Sequence, residues 1–206
     1  MAGFWSDVSI EPKRAYRWLA YIGGMDPFLV KKFSKPKVTI SETSHKFLNH
    51  TFWYPGRAEW ETVSFTLADP VYPDAAAIMF GKLMRSGYKY PDNYSNSVST
   101  ISKAKAAGPD GALGSVKIVQ LGAFAKSADA DDPIEAWTFR NAWIKDIGFG
   151  DLDYDSEDMV NIEVTLRYDY AELQSLVSPE AAAAAVDGVG PPTSGQLSDL
   201  GGAIGT

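Results

Sequence analysis

Along residues 159–170, MVNIEVTLRYDY, apolar and polar positions alternate with a period of two. Val160, Ile162, Val164, Leu166, Tyr168 and Tyr170 share one parity, and Asn161, Glu163, Thr165, Arg167 and Asp169 the other. That pattern predicts a strand with one buried and one polar face. WETVSFTLADP (60–70) behaves the same way: Val63, Phe65 and Leu67 oppose Thr62, Ser64 and Thr66, and Pro70 ends the run. IEAWTFRNAWIKDIGF (134–149) alternates with Trp137, Phe139 and Trp143 on one parity and Ile147 continuing it. RAYRWLAYIG (14–23), KPKVTIS (35–41) and SVKIVQLGAFAKS (115–127) are further strand-like runs, and DADDP (129–133) is an acidic turn.

One stretch changes period. In PDAAAIMFGKLMRSGY (73–88), Asp74 can cap a helix, Ile78, Met79, Leu83 and Met84 make an apolar stripe, and Gly87 can close the end. Residues 89–115 are polar, with PDNYSNS and AAGPDGALG, and read as a long loop or insertion with a short helix around 99–107. Strands in runs with one convincing helix predict a mainly β fold, an antiparallel barrel or sandwich with a flanking helix. No βαβ rhythm and no internal repeat occurs. A β domain over 1–175 and a tail over 176–206 follow from the composition. SPEAAAAAVDG (178–188) suits a short helix, and the Gly/Pro-rich remainder a flexible tail.

Composition narrows the function classes. The 206 residues carry a net charge of −7, which disfavours gripping nucleic acid but not letting it slide past. There is no cysteine, so disulfides, thiol nucleophiles and cysteine zinc sites are excluded. No apolar run approaches the roughly 18 residues of a membrane span. MAGFWSDVSIEPKR lacks a signal peptide's layout, so the expectation is synthesis in a cytoplasm without a membrane anchor.

Candidate chemistry is thin. Asp151, Asp153 and Asp155 match the first three ligands of a calcium loop. The match then fails: Ser156 stands where the turn needs Gly, and Ile162 where a bidentate Glu is needed. The stretch is better read as an acidic turn feeding a strand. His45 and His50 have no HExxH spacing, no GxSxG elbow is present, and GPDGALGS (108–115) lacks the Lys-Ser/Thr ending of a phosphate loop. The expectation is no catalytic residue, metal or cofactor.

Two segments resemble a known family. HKFLNHTFWYPGRAEWETVSFTLADP (45–70) and the run WIKDIGFG, LDYDS, VTLRYDY toward the end of the domain resemble the tail tube proteins of contractile-tailed bacteriophages, especially marine and cyanobacterial myoviruses. The resemblance extends over 14–171. It implies a β-barrel or sandwich with one flanking helix, assembling into hexameric rings that stack into a tube. Each subunit then contributes strands to one barrel around a channel that conducts genome DNA during ejection. The implied partners are other copies, a tail sheath protein, and baseplate and terminator proteins, all in a virion. An extended loop reaches neighbouring subunits in that family, and residues 42–58 are its counterpart, making His45, Phe47, Asn49, Trp53, Tyr54, Arg57 and Trp60 candidate subunit contacts. Asn161, Glu163, Thr165 and Arg167, on the polar parity of the last strand, are lumen-facing candidates. Six copies of −7 would give about −42 per ring, a wall to which DNA does not stick.

Two alternatives stand beside this reading. A tube subunit of a non-phage contractile injection machine, or a baseplate tube initiator, would share the fold. A carbohydrate-binding or hydrolytic β-sandwich would use Trp53, Tyr54 and Trp60 and would be monomeric.

Overall fold

The computed structural model describes residues 12–122 and 133–175. The expected tail 176–206, its short helix, the end of the 115–127 run and most of the acidic turn 129–133 lie outside the described residues.

Among the described residues, ten strands form three antiparallel sheets. In chain order they are β1 (Trp18–Ile22), β2 (Val30–Phe33), β3 (Val38–Phe47), β4 (His50–Trp60), β5 (Val63–Ala68), β6 (Val116–Leu121), β7 (Pro133–Arg140), β8 (Trp143–Gly148), β9 (Asn161–Arg167) and β10 (Tyr170–Ser175). One sheet has the order β1-β6-β7-β10, the second β2-β5-β9-β8, and β3-β4 stand apart as a two-stranded ribbon. The two four-stranded sheets close on one core. Val63, Phe65 and Leu67 of β5 pair with Leu166, Val164 and Ile162 of β9, and all six are essentially inaccessible. Ile22, Val116 and Phe139 meet them from the other sheet. Each fully buried large apolar side chain contributes about 1.5–3 kcal/mol, so these two strands are the centre of the fold. Phe33 ties the sheets together, stacking on Phe65 at 5.4 Å and lying 5.8 Å from Phe139.

The predicted mainly β, antiparallel fold with a flanking helix is what forms. Helix α1 (Ala75–Arg85) starts at Asp74, whose carboxylate accepts from the Ala77 N–H at 2.7 Å. Its buried face differs from the predicted stripe. Met79 is buried as expected, Ile78 is partly buried, but Met84 is 42% exposed. Lys82 takes the inward position, and its ammonium donates to the carbonyls of Gly23 (2.8 Å) and Leu113 (3.4 Å). Burial, followed by the neighbouring Arg85 charge, pushes its pKa down. The 89–115 stretch holds two four-residue helices, α2 (Tyr94–Ser97) and α3 (Lys103–Ala106), of which only the second falls in the predicted window.

Two alternating runs are cut by corners. The segment 134–149 is split between β7 in one sheet and β8 in the other. Asn141 makes the bend with φ +55°, a conformation that asparagine tolerates. Trp143 therefore pairs with Arg167 on the outer face and does not continue the inward parity of Trp137 and Phe139. A bulge between Ile144 and Asp146 then returns Ile147 to the core side, opposite Val164. Likewise 159–170 is not one strand. β9 ends at Arg167, Tyr168 is buried at the corner, and Tyr170 opens β10, 46% exposed. The corner is braced by Asp169, which accepts from Lys103 and Asn141 at 2.6–2.7 Å. Those bonds hold the Asp169 carboxyl below its ordinary range.

The sandwich is also clasped by Glu135 on β7. Its carboxylate accepts from Lys13, from Lys35 at 2.6 Å and from the Trp137 indole N–H at 2.6 Å. Lys35 follows β2 of the other sheet, so this ion pair joins the two layers. Burial alone would raise the Glu135 pKa, but the three donors outweigh it and bring it down to about 2 from 4.5. A folded-state value below the unfolded one stabilises fully above about pH 4.5, and that stability is lost as the pH falls toward about 2. Urea midpoints measured between about pH 6 and about pH 3 are expected to fall, and Glu135→Gln to flatten part of that fall. Equal slopes in both proteins would remove Glu135 as a cause.

Candidate functional site

The feature that departs most from a closed sandwich is the β3-β4 ribbon. Every residue from Lys37 to Glu59 is exposed. At about 3.3 Å per residue, ten-residue β3 reaches roughly 33 Å from the body. The sequence marks β3 through KPKVTIS but hides β4, because Pro55 and Gly56 interrupt it. They sit at a bulge, where Ile40 pairs with Ala58 and Glu42 with Pro55. Ser41 fills the bulge: its hydroxyl oxygen accepts from the Arg57 N–H at 2.8 Å. A Cβ at Gly56 would lie 2.4 Å from that oxygen and would push the Ser41 hydroxyl out of this position. Leu48 and Asn49 make the two-residue turn, with Leu48 at φ +51°.

Directly paired residues share a face of a ribbon. Beyond the bulge, Thr43/Tyr54, His45/Phe52 and Phe47/His50 lie on one face, and Ser44/Trp53 and Lys46/Thr51 on the other. The tip thus presents three aromatic rings and two imidazoles on a single side. Phe47, Phe52 and Tyr54 are each half or more exposed. Of the candidate contact residues, His45, Phe47, Asn49, Trp53, Tyr54 and Arg57 lie on this projecting part. Trp60 is at its root, where its ring packs 6.0 Å from that of Tyr168. Trp53, Tyr54 and Trp60 do not form one platform: Tyr54 faces away from Trp53, and Trp60 is partly covered by the body.

The second candidate set lies on the outer face of β2-β5-β9-β8. Glu163 pairs with Thr66 and Gly148, Thr165 with Ser64 and Asp146, and Arg167 with Trp143. Asn161 accepts from Lys31 at 2.9 Å. The centre of this face is short and hydroxylated, with charges of both signs spaced along it. Lys31, Lys32 and Arg167 lie on it together with Glu163 and Asp146.

The acidic stretch 151–158 forms the β8-β9 loop, all exposed. Among the described residues, no group of three or more His, Cys, Asp or Glu is placed to hold a metal ion. Adding calcium to about 10 mM, above the weak extracellular range, is expected to leave the melting temperature unchanged. A rise of several degrees would reopen a metal reading.

No family model matches the chain, and no curated protein matches it in sequence. Solved structures do match its fold. A chain of an extracellular contractile injection system, the PVC sheath-tube complex in its extended state, superposes with a TM-score of 0.56 at 13% identity, over 80% of this chain and 92% of that one. A chain of the anti-feeding prophage baseplate gives 0.55 at 15% identity, over 81% and 97%. A chain of the anti-feeding prophage tube-terminating cap gives 0.56 at 14%, over 85% and 99%. The fold is thus one found in components of contractile injection systems.

Proposed function

We propose that this protein is a tube subunit of a contractile tail, without catalytic activity. The observation that carries the reading is the β3-β4 ribbon on a fold of this class. A two-stranded ribbon is at best marginally stable alone in water, and this one exposes a row of aromatic rings and two unpaired edges. Such a surface makes sense in contact with another subunit, where aromatic and Arg side chains are favoured anchors. His45, Phe47, Asn49, Trp53, Tyr54 and Arg57 supply those contacts, and Trp60 fixes the ribbon's root.

Within that class the reading is the tail tube of a contractile-tailed phage of the myovirus type. Hexameric rings stack inside a sheath, between baseplate and terminator, and conduct genome DNA from the virion. The face carrying Asn161, Glu163, Thr165 and Arg167 supplies the lumen wall. Its mixed charges and the acidic chain suit passage of DNA without retention. The domain spans 1–175, with 176–206 as an appended tail. A second reading, a tube subunit or tube initiator of a non-phage injection machine, is favoured by the source of the superposed structures. Negative-stain images of the purified protein test the class: rings or stacked tubes are expected. A monomer that binds glycans would overturn it. Copy number in purified particles separates tube from initiator, and co-purifying genome DNA separates phage from non-phage.

A further inference from the structure

The ribbon leaves β2-β5-β9-β8 at the end where Val63, Leu166 and Ile144 are paired. The opposite end of the same sheet, beyond Ala68, Asn161 and Gly148, is also apolar and exposed. Phe28 precedes β2 there, Val71 and Tyr72 follow β5, and Leu152, Tyr154 and Met159 lie in the β8-β9 loop. All six are at least 68% exposed. Together with the ribbon tip they place much of the molecule's exposed large apolar surface at two opposite ends.

The β8-β9 loop is shaped. The Asp153 carboxylate accepts from the Asp155 N–H at 3.0 Å, and the Ser156 hydroxyl oxygen from the Asp158 N–H at 3.2 Å. The Val160 carbonyl accepts from the Asp69 N–H at 3.2 Å, which ties the loop to the segment after β5. The loop curves around an open hollow of about 610 Å³ bordered by Leu152, Tyr154 and Met159 with Asp151, Asp153 and Asp158. The two ends differ in charge. Residues 151–158 carry five carboxylates and no cation, whereas the ribbon beyond Thr43 carries Lys46 and no carboxylate.

We propose that the ribbon tip of one copy seats in the β8-β9 concavity of another copy. Phe47, Phe52 and Tyr54 cover Leu152, Tyr154 and Met159, while Lys46, on the other face of the inserted tip, meets the acidic rim. Donor and acceptor sit at opposite ends of one sheet, about 20 Å of strand apart by the rise per residue, so they do not satisfy each other within a chain. Because donor and acceptor are different patches at opposite ends, copies joined head to tail through this contact propagate into rings or filaments. This rests on the tube-subunit reading and names the surface that receives the ribbon.

The natural absence of cysteine gives a direct test. Leu48→Cys at the tip and Tyr154→Cys in the loop are both highly exposed positions. Circular dichroism should match the parent protein, and mild oxidation of the assembled double variant should give a ladder of covalent trimers and larger species. Each single variant should stay covalently monomeric, because a tip meets a loop and not another tip; single variants that dimerise as readily as the double variant extends would overturn the contact. If the double variant assembles normally but links no further than dimers, the ribbon docks elsewhere and this inference fails while the tube reading stands. If the unsubstituted protein forms no rings or tubes at all, the tube reading fails and this inference with it.

Discussion

Replacing Phe47, Phe52 and Tyr54 together with serine is expected to leave a folded monomer that no longer assembles. The three rings lie on one face of a ribbon that is exposed throughout. Their removal costs the sandwich little, because the core formed by β5, β9 and the facing sheet does not include them. The cost falls on association. Aromatic anchors at the centre of an interface each contribute on the order of 2 kcal/mol or more. Losing three would weaken each contact by at least about a thousandfold if their effects combine even partially. Sedimentation velocity should show a single slow species, with a melting temperature close to that of the parent protein. Intact rings or tubes at the parent concentration would show that the ribbon is not the assembly surface.

Gly23→Ala is expected to destabilise the folded domain by on the order of 3 kcal/mol or more. Gly23 ends β1, where the chain turns toward the second sheet with φ +41°. A Cβ there would lie 1.8 Å from the Leu113 carbonyl oxygen and 2.9 Å from the Lys82 ammonium. The Gly23 carbonyl itself accepts from Lys82, and its N–H donates to the Ser115 carbonyl at 3.0 Å. A methyl group would therefore push apart β1, α1 and the segment before β6 and strand the buried Lys82 ammonium. Gly24 is the matched control: its φ is +79°, but nothing lies within 4 Å of an added Cβ. Gly24→Ala should cost only about 1 kcal/mol, from backbone strain alone. Denaturant midpoints for the two variants separate packing from strain. Equal losses would refute the crowding at Gly23.

Lys82 illustrates where pattern reading stops. Its place in α1 is inside the helical period, yet a lysine counts as polar in any hydrophobic stripe, so Met84 is chosen in its stead. Only the Gly23 and Leu113 carbonyls, brought together by the fold, make an inward ammonium tolerable. The corners at Asn141 and Tyr168 are missed for a related reason. Alternation continues across them in the sequence, because both sides of a corner belong to strands. Nothing local states that the partner sheet has changed. The ribbon is half legible: the resemblance to tail tube proteins marks 42–58 as reaching outward, while the length of β4 is masked by Pro55 and Gly56. The β8-β9 loop is legible as an acidic turn and a poor metal loop. That Leu152, Tyr154 and Met159 border an open hollow there depends on how its backbone hydrogen bonds fold it.

By itself the sequence determined which residues of β5 and β9 turn inward and where α1 begins. Side-chain alternation in a strand and a carboxylate cap on a helix are properties of a few adjacent residues. It likewise settled, through the absence of cysteine, that nothing here is held by disulfides. Tertiary structure alone decided which sheet each strand joins, that β3 and β4 stand clear of both, and that many of the exposed rings gather at two ends. Those outcomes depend on pairings between residues far apart in the chain, such as Val63 with Leu166 and Trp143 with Arg167, whose register no local period encodes.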